Sequence, residues 1–152
     1  MSRARSAILI PAVDALVRHV PPDVPTVLLV QDRPDDRTMY AEYLRLRGFA
    51  PLEITTTDQA LSLAGNADVI VTGVRVSGSF DGLELVRRLR ADVRTQSKLI
   101  IVLTAWALDP SREQAVAAGC DVFLTKPCLP QTLVREIRRG LAAGRRRAGR
   151  SQ

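Results

Sequence analysis

Four short apolar runs constrain this 152-residue chain more than any other feature. They are residues 26–30 (TVLLV), 68–72 (DVIVT), 99–103 (LIIVL) and 121–124 (DVFL), with a weaker candidate at 52–55. Each is rich in β-branched residues and continuous rather than alternating, the pattern of a strand covered on both faces. Between them lie stretches with helical spacing. Residues 35–47 place Met39, Tyr40, Tyr43, Leu44 and Leu46 near one face, opened by Pro34 and acidic residues and closed by Gly48. Residues 58–64, 82–91, 110–118 and 130–141 give four more helices, the last two with Pro110 and Pro130 at or near the first position. Five strand–helix alternations imply an α/β domain with a doubly wound, five-stranded parallel sheet and helices on both faces. Ligands of such sheets bind beyond the carboxyl ends of the strands, where the winding direction switches.

The length suits one domain with short appendages. The expected division is an extension at 1–24, a domain at 25–142 and a basic, disordered tail at 143–152. In the extension, positions 13, 16, 17 and 20 put Val, Leu, Val and Val on one helical face, so it is either an added amphipathic helix or residues added by a misassigned start. The net charge is +6, and all of it resides at the end: from Arg135 onward seven arginines accompany one glutamate. No apolar run reaches the roughly 18 residues that span a bilayer, and no signal peptide with a cleavage site follows Arg3 and Arg5, so a cytoplasmic location and no membrane partner are expected. Cys120 and Cys128 bracket a strand, which places them about 20 Å apart or more and excludes an internal disulfide. With no CxxC pair or histidine cluster, zinc has no support either.

The strand ends deliver polar residues to one rim. Gln31 and Asp32 follow the first strand, Gly73 ends the third, Thr104 ends the fourth, and Lys126 follows the fifth and precedes Pro127. Over residues 25–141 the chain resembles the receiver domains of two-component signalling. The stretches LLVQDRPDDR, DVIVTGVRVSGSFDGLELVRRLRA, LIIVLTA and AAGCDVFLTKPC carry the likeness, in order and at family-like spacing. The resemblance implies a flavodoxin-like (βα)5 fold. It also implies a pocket in which two adjacent acids after the first strand and an aspartate at the end of the third hold Mg²⁺, while that aspartate accepts a phosphoryl group. A lysine and a threonine then respond to the phosphate.

The present sequence departs from that pattern. The acidic pair is Gln31-Asp32, and Gly73 stands at the acceptor position. A glycine cannot be a nucleophile. Thr72 and Val74 on either side offer no substitute, and the next acid, Asp81, is expected to cap the third helix. Loss of two carboxylates from three removes the electrostatic reason for a metal, so Mg²⁺ binding is expected to be weak or absent, with Asp32 the residual ligand candidate and no other cofactor. Asp32 and Lys126 are expected to neutralise one another. Gln31, Asp32, Gly73, Thr104 and Lys126 thus form a remnant pocket without a catalytic residue, and no enzyme activity is expected.

Two aromatics are candidates for switching or interaction. Phe123 lies where the family carries an aromatic that swings inward and outward, and it is equally a core residue of its strand. Trp106 follows Thr104 by two; it covers the pocket, anchors a partner or simply packs beneath its loop. His19 has nothing of a phospho-accepting histidine around it and suits an ordinary surface position. The favoured function is a phosphorylation-independent pseudo-receiver that binds a protein partner, a histidine kinase or another regulator. The alternative is binding to nucleic acid or another anionic surface through the arginine-rich tail, for which the sequence contains no helix-turn-helix or other reader element.

Overall fold

The structure is a computed structural model, and it describes residues 21, 23–105 and 111–150, with the side chains of 111 and 145–150 left aside. Trp106, His19 and the extension up to residue 20 lie outside the described residues, and so do the readings made for them. Five strands, β1 (Thr26–Val30), β2 (Ala50–Ile54), β3 (Val69–Thr72), β4 (Leu99–Thr104) and β5 (Val122–Thr125), alternate with five helices. These are α1 (Pro34–Leu46), α2 (Thr57–Leu63), α3 (Gly82–Ala91), α4 (Ser111–Ala118) and α5 (Pro130–Arg150). All strand pairs are parallel, in the order β2-β1-β3-β4-β5. This is the flavodoxin-like order, and its winding reverses between β1 and β3.

The continuous apolar runs are explained by a core on each face. Leu28, Val30, Ile70, Ile100 and Val102 point to one side, where they pack with α2, α3 and α4. Val27, Leu29, Val71, Ile101 and Leu103 point to the other, against Tyr40, Ala41 and Leu44 of α1 and Leu133, Val134 and Ile137 of α5. Because side chains alternate along a strand, both faces of β1, β3 and β4 must be apolar for both helix layers to seat. β2 begins two residues earlier than expected and contains Pro51, which an edge strand accommodates because one of its backbone sides has no partner.

β3 and β5 begin one residue later than expected, after Asp68 and Asp121, for a shared reason. The carboxylate of each accepts an N–H at the start of the neighbouring strand: Asp68 takes that of Thr26, the first residue of β1, at 2.8 Å and Asp121 that of Ile100, the second residue of β4, at 2.9 Å. Arg90 gathers the same end of the sheet. Its guanidinium donates to the carbonyls of Gly119, Gln96 and Lys98 at 2.7 to 2.8 Å and to Asp121 at 2.7 Å.

The tail expectation is corrected by α5. Instead of ending at residue 141 and giving way to a disordered segment, the helix continues to Arg150. Arginine and alanine are good helix formers, and extending an existing helix avoids the cost of nucleation. Gly140 allows the helix to lie close to the sheet, because a Cβ there would collide with the Leu99 side chain.

Tyr40 ties α1 to the segment that follows β5, its buried hydroxyl donating to the Cys128 carbonyl at 2.6 Å. Burial, with smaller contributions from the thiol of Cys128 and the carboxylate of Asp36, pushes its pKa up to about 12. A phenol whose folded pKa is raised contributes stability that is complete below its unfolded value near 10 and is lost as pH climbs toward 12. Unfolding free energy from urea titrations is therefore expected to fall across pH 10–12, and Tyr40→Phe is expected to flatten that decline while costing about 1 kcal/mol at neutral pH.

Candidate functional site

The carboxyl ends of β1, β3, β4 and β5 open onto a cavity of about 200 Å³ lined by Gln31, Asp32, Gly73, Thr104 and Lys126, together with Arg33, Arg75 and backbone of the same loops. It sits at the β1/β3 winding reversal, where the topology places a ligand site. All five pocket residues named from the sequence are brought together here.

Each polar group has a partner inside the protein. Gln31 is buried, and its amide nitrogen donates to the Leu103 carbonyl at 3.2 Å. Since β3 lies between β1 and β4, this bond spans the intervening strand and passes over Gly73. A Cβ built on Gly73 would lie 3.8 Å from the Gln31 nitrogen, 3.6 Å from the Leu103 carbonyl oxygen and 3.4 Å from Val76. The backbone of Gln31 is held as well, its carbonyl accepting from Arg37 at 2.8 Å, and Arg37 in turn pairs with Glu53 at 3.3 Å.

Asp32 and Lys126 do not neutralise one another, contrary to the sequence expectation. Lys126 Nζ reaches Asp36 Oδ2 at 2.9 Å, and Asp32 Oδ1 accepts from the Ser77 hydroxyl at 3.1 Å. The reason is local: Pro34 starts α1 at once, so its first turn carries Asp36 into reach of the end of β5. Arg33 flanks the same carboxylate at 3.8 Å. Asp36 and Ser77 were missed by sequence reasoning, although the acidic first turn in QDRPDD was visible as a helix-start signal. The Lys126-Pro127 peptide is cis.

Thr104 is buried, and its carbonyl accepts from the Lys126 N–H at 2.8 Å. Phe123 is buried in the core on the α2–α3–α4 face, with the Arg112 guanidinium 4.9 Å from its ring centroid. Asp81 caps α3 as the sequence suggested, accepting from the Glu84 N–H at 2.8 Å. Cys120 and Cys128 are free thiols, and burial pushes both above the ordinary range, so neither is a ready nucleophile at neutral pH.

The loop after β3 is fixed by two glycines. Gly78 has a φ of +135°, and a Cβ there would collide with Thr57, whose N–H donates to the Ser77 carbonyl at 2.9 Å. Gly82 opens α3 directly against the Gly73 carbonyl, where any Cβ would overlap it. Gly73 has neither restriction.

A model of the response regulator receiver domain matches residues 27–138. The chain belongs to that family. It is similar to the phosphate regulon transcriptional regulatory protein PhoB of Pseudomonas aeruginosa, at 34% identity over 115 residues that make up 74% of this chain and 50% of that one. A cyclic di-GMP phosphodiesterase of Thermotoga maritima is 33% identical over 102 residues, 67% of this chain and 27% of that one. The chain thus spans half or less of the length of these curated relatives. Among solved structures it is similar to the receiver domain of the sensor histidine kinase PA1611 from P. aeruginosa, which holds a coordinated magnesium ion in its active-site cleft, with a TM-score of 0.72, 30% identity and coverage of 78% of this chain and 98% of that one. The chemotaxis response regulator CheY4 of Vibrio cholerae gives a TM-score of 0.70 and 26% identity, covering 77% and 98%. The chain is a receiver domain of two-component signalling. Among the described residues, no helix is long and apolar enough to cross a membrane.

The two glycines of the rim should respond oppositely to substitution. Gly73→Ala is expected to be neutral or slightly stabilising, up to about 1 kcal/mol. Gly82→Ala forces backbone apart and is expected to cost on the order of 1–3 kcal/mol. Urea unfolding of the two variants beside the wild type measures both.

Proposed function

We propose that this chain is a phosphorylation-independent pseudo-receiver, a protein-interaction module of two-component-type signalling. The observation that carries the reading is the Gln31–Leu103 hydrogen bond across Gly73. In receivers that accept phosphate, the residue at the end of β3 supplies the attacking carboxylate and the residue at the Gln31 position supplies a metal ligand. Here the first position has no side chain, and the second spends its amide on a backbone carbonyl.

The residues present do not fit Mg²⁺. A hard dication prefers several oxygen ligands with anionic charge among them. The cavity offers one carboxylate, Asp32, facing Arg33, Arg75 and Lys126, and no group of three metal-binding side chains occurs among the described residues. Without a nucleophile or a metal to offset phosphoryl charge, phosphoryl transfer has no machinery to run on. Lys126 supports the same reading, since its ammonium is held by Asp36 before any phosphate arrives.

The partner class follows from the family. A histidine kinase or another regulator would meet a receiver-shaped surface whose state is set by contact. Phe123, fixed in the core, belongs to the scaffold of that surface.

The test is incubation with a small-molecule phosphodonor and excess Mg²⁺, read by intact mass. No phosphoryl adduct is expected on the wild type. A Gly73→Asp, Gln31→Asp double variant, whose Cβ at position 73 meets only ordinary contacts, is expected to acquire one. A stable wild-type adduct that disappears on Asp32→Ala would overturn the proposal.

A further inference from the structure

The arginines at the end of the chain fall on a helix, and their placement there carries information that the composition does not. From Arg135 to Arg150 the helix rises about 22 Å, and at about 100° per residue positions 135, 138, 139, 145, 146 and 150 share one sector of about 140°. The opposite side holds Leu133 and Ile137, buried against the sheet, and Gly140, seated on Leu99. Arg135, Arg138 and Arg139 therefore stand on the face turned away from the core.

At its inner end the stripe joins a groove of about 340 Å³ between α1 and α5, lined by Tyr43, Arg47, Arg135, Arg138 and Arg139 among others. Two of these guanidinium groups are pre-positioned without a carboxylate. Arg47 donates to the Tyr43 hydroxyl at 3.1 Å and lies 5.3 Å from its ring centroid, and Arg138 donates to the Arg47 carbonyl at 3.2 Å. Among the described residues, one acid is paired with the four arginines of the groove: Glu136, at 3.3 Å from Arg139 and 3.7 Å from Arg135.

We propose that this face of α5, with the α1 groove, binds the phosphate backbone of duplex nucleic acid without sequence preference. Charge complementarity selects the occupant. Every cation of the stripe is arginine, whose planar fork matches phosphate oxygens in pairs. The stripe covers about two-thirds of a duplex turn of roughly 34 Å. A lipid surface is the poorer fit, because helices that lie in membranes bury an apolar face in the bilayer, whereas the apolar face of α5 is already committed to the sheet. The binding is independent of the Gly73 pocket, so either proposal can fail without the other.

Fluorescence anisotropy of the full chain with a labelled random-sequence DNA duplex, titrated at several salt concentrations, tests it. Each phosphate contact contributes about −0.9 to the slope of log K against log salt, so the wild type is expected to show a slope between about −4 and −5. Arg135→Gln, Arg139→Gln, Arg146→Gln and Arg150→Gln combined are expected to remove about 3.6 from its magnitude and to weaken binding at least tenfold at low salt, with an unchanged circular dichroism spectrum. A wild-type slope shallower than about −2 would overturn the proposal without recourse to the variant. So would equal affinity of the two proteins, or tighter binding to anionic phospholipid vesicles than to the duplex at the same salt.

Discussion

Everything in this molecule depends on a parallel sheet with no solvent face. The backbone ladder of β1, β3 and β4 is covered on one side by α1 and α5 and on the other by α2, α3 and α4. Polar chemistry cannot be placed on either face without burying it unpaired, at a cost of several kcal/mol per group. It is pushed to the two rims. At the amino-terminal rim the solution is structural: Asp68 and Asp121 hold N–H groups at the starts of neighbouring strands, and Arg90 collects three carbonyls and a carboxylate. At the carboxyl-terminal rim the same constraint creates a pocket.

That pocket is internally satisfied. Gln31 reaches over Gly73 to β4, Lys126 is held by α1 through Asp36, and Asp32 is held by the β3–α3 loop through Ser77. The contacts link four of the five strand ends, so they act as cross-braces of the rim. The contrast between the glycines shows which constraints are geometric. Gly82 and Gly78 are demanded by close backbone approach, whereas at Gly73 a Cβ meets only ordinary contacts.

The fold was legible because hydrophobic periodicity is a local property: TVLLV and LIIVL can only be strands covered twice, and DGLELVRRLRA announces its own cap and amphipathic face. Residues at the strand ends were legible for the same reason, since each continuous apolar run stops where polar residues begin. Their pairing was not. Whether Lys126 meets Asp32 or Asp36 depends on how tightly α1 follows β1, a matter of a few ångströms in three dimensions that charge and spacing do not encode. The end of α5 was misjudged because glycine and clustered charge suggest disorder, while the helix already running through Ile137 only needed to be continued.

Lys126 and its carboxylate have a further consequence for how such a module can carry information. A switch needs a ligand with different affinities for two states, and its dynamic range is set by that difference. A cation that already has a counter-ion within the same chain gains less from an incoming anion than an unpaired one would. On the phosphorylation-independent reading proposed above, the conformational equilibrium is a fixed property of the polypeptide. The quantity left for a cell to vary would then be the number of copies: a module of the proposed kind acts by dose, titrating whatever it binds.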